Sequence, residues 1–422
     1  MLHVVAACAQ SPAIEPAYVD NLLKTLSADN MKGRKAFEPG SLKAAAFIAN
    51  EFRKIGLQPL QGLEDYNQTF QVYRVKPGKA QVRLNNKAIA PAKVVIVSGS
   101  PKLEWNSGSA TATVIPVGPA DNLQQKMGEV RKNRKDAILL IDQAHADLFN
   151  RYQNYYSRGN ISLEAPGGPS FVLVLTQISK PGSFSVSANN QVETLPLTNV
   201  TGMIPGKSRP DEYVIFSGHY DHIGALPPVK GDSIANGADD DASGTTAVIA
   251  LARYFKALNN NERTILFVAF TAEEIGGYGS QYFSKQLDPE KVVAMFNIEM
   301  IGKESKFGSN TAFITGYEKT DFGKILQKNL EGTEFTFHPD PYTEQNLFYR
   351  SDNATLARQG VPAHTISTDQ IDVDKYYHTV DDEYETLNIS NVVNTIRAIA
   401  LSARSIISGQ DTPGRVDTSD LK

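Results

Sequence analysis

Acidic and imidazole side chains follow several predicted strands of this chain, at the points where those strands end. Ser217-Gly218-His219-Tyr220-Asp221 comes directly after one β-prone run, and Glu273-Glu274 follows the next. Glu299 ends a third run, Asp239-Asp240-Asp241 occupies a glycine-bounded loop, and His378 lies in a later loop. Because the carboxyl ends of parallel strands meet at one edge of a sheet, we expect these groups to lie close together. Such a gathering of negative charge is costly unless a cation neutralises it.

The residue types indicate a divalent metal centre built without cysteine. The single cysteine, Cys8, excludes an intramolecular disulfide framework, a cysteine-rich zinc site and a CxxC redox pair. Two histidines with three carboxylates suit zinc, manganese or cobalt. These five candidate ligands exceed the three protein ligands of one open catalytic zinc. They fit two metals that lie about 3.5–4 Å apart and share a bridging carboxylate. In the pair Glu273-Glu274, neighbouring side chains point in different directions, so one can bind metal while the other handles a proton.

The elements that must position these groups alternate between strand and helix. Apolar residues at helical spacing predict helices, and short β-prone runs between them predict strands. The alternation favours an α/β fold, a mostly parallel mixed sheet sandwiched by helices. Helices are predicted over 41–56, 243–258 and 389–407, and strands within 66–97 and over 213–217, 264–271, 292–298, 311–315 and 364–367. Residues 98–195, rich in glycine, serine, asparagine and proline, predict a separate, mostly β domain inserted into this one.

Composition excludes several classes of partner. The 422 residues carry 42 Lys plus Arg against 46 Asp plus Glu, a net charge of -4. This balance gives no reason to expect nucleic acid or an anionic membrane as partner. No apolar run approaches the roughly 18 residues that a membrane span requires. The length suggests two or three domains.

The two ends of the chain carry their own signals. The start, MLHVVAACAQ, is typical of the end of an export signal, and Val5-Ala6-Ala7-Cys8 is typical of a lipoprotein signal with a lipid anchor at Cys8. We therefore treat residues 1–14 as a signal or lipoprotein remnant. The predicted location is outside the cytoplasm: periplasmic, anchored to the outer membrane as a lipoprotein, or secreted. Residues 408–422 are polar and predict a flexible tail.

Four motifs, in order, resemble the co-catalytic di-zinc aminopeptidases of peptidase family M28. They are Gly218-His219-Tyr220-Asp221-His222, Gly237-Ala238-Asp239-Asp240-Asp241-Ala242-Ser243-Gly244, Thr271-Ala272-Glu273-Glu274 and Tyr377-His378-Thr379. The resemblance covers most of residues 15–407. It implies the zinc exopeptidase fold over 15–97 and 196–407, with 98–195 where many members carry a protease-associated domain.

The resemblance implies a metal role for five residues. His219 would bind one zinc ion, with Glu299 at the position of that ion's carboxylate. Asp240 would bridge both ions, and Glu274 with His378 would complete the other. Two zinc ions per chain are therefore expected, with a single ion as the alternative.

The resemblance also implies roles beside the metals. Glu273 would be the general base, and Asp221 would orient His219 from behind. In many members the bridging aspartate precedes a non-proline cis peptide, which makes Asp240-Asp241 a candidate for one.

Two positions depart from the family pattern. The family usually has aspartate where this chain has Glu299, which is one methylene longer, so the metal must shift or the backbone must lie further back. Ser351-Asp352-Asn353 lacks the histidine that many members have after Ser-Asp, and we assign that segment no metal role.

The predicted function is an exported metal-dependent aminopeptidase that acts on peptides through a water activated by two metals. One alternative is a glutaminyl cyclase of the same fold, with one zinc held by Asp240, Glu274 and His378. The other is a non-catalytic binding ectodomain. The absence of an obvious basic cluster for a substrate carboxylate favours aminopeptidase over carboxypeptidase action.

Several further residues have two interpretations from sequence. His222 either supports the metal site or lies in a solvated loop. Tyr349 and Tyr377 either stabilise an oxyanion or merely pack. His364, inside a predicted strand, is interpreted as a packed core residue.

Overall fold

The computed structural model describes residues 13–108 and 112–419. They form two compact units, one made of the described residues up to Phe70 together with those from Leu197 onward, and the other of the described residues between Gln71 and Pro196. The predicted export signal and Cys8 lie outside the described residues. Within the described part of the chain, no helix is long and apolar enough to cross a membrane.

The helices begin and end at residues with ordinary start and stop signals. The second helix has Pro39 in its first turn and ends before Gly56, whose φ of 79° is the left-handed conformation of a glycine C-cap. In chain order the helices are α1 Pro16–Leu26, α2 Pro39–Ile55, α3 Leu123–Asn133, α4 Ala146–Tyr156, α5 Gly244–Leu258, α6 Tyr278–Lys285, α7 Phe322–Asn329, α8 Asn353–Ala357, α9 Ile389–Ser402 and α10 Arg404–Ile407.

A strand lies at each β-prone run predicted after residue 212, with its ends shifted by a few residues, whereas other strands, such as those over 184–204 and 336–339, were not predicted. In chain order they are β1 Asn67–Leu84, β2 Lys87–Ala88, β3 Val94–Val97, β4 Lys102–Asn106, β5 Thr113–Val117, β6 Ala137–Ile141, β7 Asn160–Ser162, β8 Phe171–Leu175, β9 Phe184–Ile204, β10 Arg209–His219, β11 Gly224–Val229, β12 Asp232–Ala235, β13 Arg263–Phe270, β14 Val292–Ile298, β15 Thr311–Ile314, β16 Thr336–Pro339 and β17 Ala363–Ser367.

The first unit is built around a mixed sheet. Its strand order is β16-β15-β17-β14-β10-β13-β9, followed by β1. Strand β10 runs parallel to both of its neighbours, β13 and β14, and β14 is also parallel to β17. Strands β9 and β15 are antiparallel to β13 and β17. The predicted α/β fold class is confirmed.

Helices cover both faces of this sheet. Val214 and Phe216 join the buried cluster that contains residues of α1, α2, α5 and α9. Between them, Ile215 faces the other layer, with Phe283 of α6 and Leu356 of α8. Burial of each such side chain contributes about 1.5–3 kcal/mol. Strand β10 is therefore held firmly from both sides, which fixes the position of His219 at its end.

The second unit has its own sheet and core. Its strand order is β3-β8-β6-β5, with β3 antiparallel to β8 and the other pairs parallel. Met127 of α3 and Phe149 of α4 belong to its buried cluster. Composition predicted an insertion over 98–195, whereas the unit begins at Gln71. The earlier start follows from strand pairing, because β1 pairs with β7 and β3 with β8 inside the unit.

The C-terminal segment differs from the predicted flexible tail. Through Ser419 it is described, and Val416 is only 4% exposed. The N–H of Val416 donates to the carbonyl of Gly360 at 2.9 Å, and Arg415 donates to the carbonyl of Val292 at 3.0 Å. A polar composition does not reveal such backbone contacts, since they depend on the surface that the segment meets.

Candidate active site

Adjacent parallel strands deliver the predicted site residues to one edge of the sheet. His219, the last residue of β10, is in register with Phe270, the last residue of β13. On the other side of β10, strand β14 ends at Ile298, next to Glu299. The predicted convergence at the carboxyl ends of the strands is confirmed.

Asp241 ties the surrounding loops together. Its Oδ2 accepts the backbone N–H of His219 at 3.0 Å. Its Oδ1 accepts the backbone N–H groups of Gly244 at 3.0 Å and Met300 at 3.1 Å. Loops that follow β10 and β14 are thus fixed to the start of α5. The peptide bond between Asp240 and Asp241 is cis, as the resemblance implied.

Asp239 also has a structural role. Its Oδ1 accepts the backbone N–H of Gly302 at 2.7 Å, and its Oδ2 lies 3.2 Å from Lys303 Nζ. The carboxylate of Asp382 in turn accepts the backbone N–H groups of Asp239 and Asp240. With both flanking aspartates engaged, the carboxylate of Asp240 is the one left to face the imidazoles.

Asp240 lies between two groups of donor atoms. Its Oδ1 is 3.2 Å from His219 Nε2, which is 4.0 Å from Glu299 Oε1. Its Oδ2 is 3.2 Å from His378 Nε2, which is 3.1 Å from Glu274 Oε2. The structure therefore brings all five predicted metal ligands together, and the two oxygens of Asp240 face different groups.

Unpaired buried atoms test whether these groups fit a metal. His219 Nε2, Asp240 Oδ1 and Glu299 Oε2 are buried and have no hydrogen-bond partner among the described residues. A buried polar atom left unpaired costs about 1–3 kcal/mol. Imidazole nitrogens and carboxylate oxygens are ligands that zinc takes. The arrangement fits two divalent ions that share Asp240.

His222 lies against the second group, and it is not a solvated loop residue. Its ring is 1% exposed. Its Nδ1 is 2.6 Å from Glu274 Oε1 and 3.7 Å from Asp240 Oδ2. His222, Asp240 and Glu274 place donor atoms within 4.8 Å of one another, so His222 is a further donor candidate. Its position directly after the His219-Tyr220-Asp221 turn was the only sequence signal for it.

Asp221 acts differently from what the resemblance implied. His219 Nδ1 lies 3.1 Å from the backbone carbonyl of Asp221, whereas the Asp221 carboxylate is 3.9 Å away. The backbone carbonyl therefore orients the imidazole. The Asp221 carboxylate instead accepts the backbone N–H of Glu273 at 3.0 Å and fixes the loop that carries the predicted general base.

Burial governs the ionisation of these acids in the chain without metal ions. Burial, reinforced by the charge of Asp240, raises the pKa of Glu299 to about 7 although His219 opposes it. Burial also raises the pKa of Glu273 well above its usual range. Burial acts to raise the pKa of Asp240. The neighbouring imidazoles, chiefly that of His222, outweigh burial and hold this pKa well below its usual range. Divalent cations at this place would favour the ionised form of every carboxylate.

Asp352 is a buried acid behind the site that sequence reasoning left without a role. It is 1% exposed, and neither carboxylate oxygen makes a hydrogen bond in the described chain. Burial raises its pKa to about 6. Its charge in turn acts to raise the pKa of Glu273. The Ser-Asp pair of the sequence was its only signal.

A third group of acids already has its cation. Asp239, Asp369 and Asp374 place oxygens within 4.8 Å of one another. Lys303 Nζ lies 3.2 Å from Asp239 Oδ2 and 2.6 Å from Asp374 Oδ2. We therefore interpret this group as an ion-pair network and not as a metal site.

A cavity opens over the candidate metal ligands. Its volume is about 80 Å³. Five of the acids discussed above line it, namely Asp240, Glu273, Glu274, Glu299 and Asp369, and the remaining wall includes Met300, Phe313, Leu347, Ile371, Tyr377 and Arg350. Arg350 is its one basic lining residue among those described.

Comparison with known proteins defines the class of this protein. The sequence model of peptidase family M28 matches residues 199–403. The chain is 27% identical over 274 residues to leucine aminopeptidase 1 of Pyrenophora tritici-repentis, a match that spans 60% of this chain and 67% of that protein. It is 38% identical over 109 residues to a probable zinc metalloprotease of Pyrenophora teres f. teres, which spans 25% and 23% of the two chains.

A solved structure shares the fold. The aminopeptidase from Aneurinibacillus sp. strain AM-1 superposes with a TM-score of 0.54 at 19% identity, and the match covers 96% of each chain. Together with the donor atoms around Asp240, these similarities define a metal-dependent peptidase. Residues 199–403 carry the sequence pattern of peptidase family M28, and these similarities support a zinc aminopeptidase of that family.

Proposed function

We propose that this protein removes N-terminal residues from peptides with two zinc ions and Glu273 as general base. The ions would be held by His219, Asp240, Glu299, Glu274 and His378. The observation that carries the proposal is the position of Asp240, whose two oxygens face separate donor groups at 3.2 Å each. Glu273 lines the same cavity but belongs to neither group.

The roles of the chain's own residues follow from this arrangement. Bound zinc would supply Lewis acidity toward a substrate carbonyl and toward water. Glu273 takes a proton from the attacking water and delivers it to the departing nitrogen. The backbone N–H of Glu273 donates to the carboxylate of Asp221, and this bond fixes the loop that carries the Glu273 side chain during the transfer.

The cavity wall favours an apolar N-terminal side chain. Met300, Phe313, Leu347 and Ile371 line it, and the acids beside them suit a free α-amine. The leucine aminopeptidases among the relatives support this substrate class. Burial raises the pKa of Tyr377, so its hydroxyl stays protonated and can donate to an oxyanion.

The variant Glu273→Gln tests the general base. We expect kcat for leucyl-p-nitroanilide to fall by about 10²–10⁴-fold, while the bound zinc, measured by plasma mass spectrometry, stays at two per chain. The matched control is Glu290→Gln, at a side chain that is 80% exposed, which should leave kcat unchanged. A Glu273→Gln protein as active as the parent would remove Glu273 from this role.

Metal removal separates the proposal from its alternatives. We expect chelation to abolish hydrolysis of the anilide and of leucyl dipeptides, and zinc to restore it. One tightly held zinc with cyclisation of N-terminal glutamine, and no amino acid released, would instead support a glutaminyl cyclase. Loss of all turnover with peptide binding retained would support the non-catalytic ectodomain.

We also propose export from the cytoplasm, with a lipid attached at Cys8. The support is the small-residue sequence before that cysteine. Cells that express the full chain should incorporate labelled palmitate into it, and Cys8→Ala should abolish the label. Unlabelled parent protein in the cytoplasmic fraction would contradict the proposal.

A further inference from the structure

Arg34 is a fully buried cation next to the loops that carry the candidate metal ligands. It ends the short turn Asp29–Arg34 between α1 and α2, and it is 0% exposed. Its backbone, with φ of 49°, is left-handed, as is that of Gly33 before it. An added Cβ at Gly33 would lie 2.5 Å from the carbonyl oxygen of Ala235. The turn is therefore packed closely against the chain segment that leads to Asp240.

Within residues 13–108 and 112–419, the acceptors of the guanidinium are all backbone carbonyls, and these come from three separate segments. Nη1 donates to Leu26, at the end of α1, at 2.8 Å. Nε donates to Tyr220, one residue after His219, at 2.8 Å. Nη2 donates to Gly237 at 2.8 Å and to Asp240 at 3.4 Å. A further bond joins Nη1 to the carbonyl of Asn236.

These bonds connect the loop after β10 to the loop before α5. One planar fork holds both at a fixed separation. The turn is also joined to the loop after β10 by the N–H of His222, which lies 3.4 Å from the carbonyl oxygen of Arg34. His219 and Asp240 therefore have their positions set by the same side chain.

The charge of Arg34 offsets the acids without occupying their oxygens. Four carboxylates, those of Asp240, Asp382, Asp241 and Asp221, lie close enough to interact electrostatically with its guanidinium. Since its hydrogen bonds go to carbonyl groups, the lone pairs of the Asp240 carboxylate stay available for other partners. An arginine that formed a salt bridge with Asp240 would compete with a metal ion.

We propose that Arg34 is a positioning residue, which fixes the separation of the His219 and Asp240 loops so that their donor atoms are in place before a metal binds. The proposal rests on the proposed function. Arg34 does not line the cavity, so it acts on the metal ligands and not on the peptide.

The test is Arg34→Lys, which keeps the charge but loses the planar fork. We expect the dissociation constant for zinc, measured by competition with a chromophoric chelator, to rise by about 10–100-fold. With zinc in excess, kcat should fall while KM changes little. An unchanged zinc affinity, or a rise in KM alone, would overturn the proposal.

Arg263 provides the matched control. It is also buried, at 1% exposed, and its Nη1 donates to the backbone carbonyls of Ile406 and Asp411 at 2.7 Å each. Arg263→Lys should lower stability by a similar amount and leave the zinc affinity unchanged. If both variants lose zinc equally, general loosening of the fold explains the result and the proposal fails.

Hydrogen exchange in the unaltered chain keeps the proposal testable if Arg34→Lys does not fold. The amides of residues 219–222 and 238–241 should stay protected after zinc is removed, because the proposal requires both loops to be fixed before a metal binds. The proposal would be overturned if these amides exchanged as fast as those of an unstructured chain until zinc is added. Zinc affinity and hydrogen exchange are both measured without peptidase activity. A failure of the proposed function therefore remains distinguishable from a failure of this proposal.

Discussion

At the scale of single residues, this chain departs from the family pattern at Glu299, where the family usually has aspartate. The backbone N–H of Glu299 donates to Ile366 at 3.2 Å, and the next residue, Met300, has φ of 52° and donates to Asp241. The backbone at this strand end is therefore fixed, and the extra methylene of Glu299 carries its oxygen to 4.0 Å from His219 Nε2.

Glu299→Asp should therefore lose metal and not gain it, although aspartate is the usual residue in the family. The shorter side chain withdraws its oxygens by about one methylene from His219 and Asp240, beyond zinc–oxygen distances of about 2.0–2.2 Å. We expect the zinc content after dialysis to fall from two ions per chain toward one. The control Glu304→Asp, at an exposed position, should keep both ions. Two tightly held ions in Glu299→Asp would contradict this account.

Residues of the candidate metal site were predictable from sequence where a local motif carries their role, and were not predictable where the role depends on distant parts of the chain. Strand-end motifs indicated His219, Glu273, Glu274 and Glu299, because a side chain that directly follows a strand has a defined place in a parallel sheet, whereas Asp240 and His378 came from loop motifs. Arg34 was not identified as functional, since its acceptors Tyr220 and Asp240 are far from it in the chain. The role of Asp221 was assigned to the wrong atom, because a motif does not distinguish a carboxylate from the backbone carbonyl of the same residue.

At the scale of elements, β17 shows how a buried histidine stabilises the sheet. His364 is 0% exposed, which confirms that it is a core residue. Its Nδ1 lies 2.8 Å from the carbonyl of Thr315 and must donate, so Nε2 accepts from the hydroxyl of Thr320, also at 2.8 Å. The ring stacks on Phe322 of α7 at 4.8 Å between centroids. This arrangement requires the neutral imidazole.

Stability should therefore fall in acid through His364. Burial lowers its pKa from 6.5 to about 4. Above the unfolded value both states are neutral, and the contribution is fully present. As the pH falls below 6.5, only the unfolded chain takes up a proton, so this group should lower the free energy of unfolding by about 2 kcal/mol at pH 5.

Urea unfolding of the chelated protein at several pH values measures this effect. His364→Asn should be less stable at pH 7.5 but lose less stability between pH 7.5 and 5 than the parent. Leu326→Ala, a buried position in α7 without an ionisable group, should lower stability and keep the parent's pH dependence. Parallel pH curves for His364→Asn and the parent would disprove the assignment.

Element positions themselves were predictable because hydrophobic periodicity is a local property. The run over 292–298 was predicted within the bounds that β14 has. The predicted helix over 389–407 is divided into α9 and α10, and no glycine or proline signals that division. Helix α1 was not predicted, although Val19, Leu22, Leu23 and Leu26 are buried at helical spacing.

At the scale of the whole molecule, the chain consists of two units with separate cores. Composition predicted an insertion over 98–195, whereas the second unit runs from Gln71 to Pro196. The earlier start lies inside the long strand β1, and an extended run gives no local signal of where its pairing partners change. Strand partners are a tertiary property, and for β1 they include β7, which lies far along the chain.

The second unit should fold by itself as the fragment Gln71–Pro196. Leu139, Leu173 and Phe149 are each 0% exposed within its own core, and the fragment has the length of an ordinary domain. We expect one cooperative thermal transition by circular dichroism, with no bound zinc and no peptidase activity, because every candidate ligand lies in the other unit. Leu139→Ala should destabilise the fragment by about 2–5 kcal/mol. A fragment that unfolds without cooperativity would show instead that the two units fold only together.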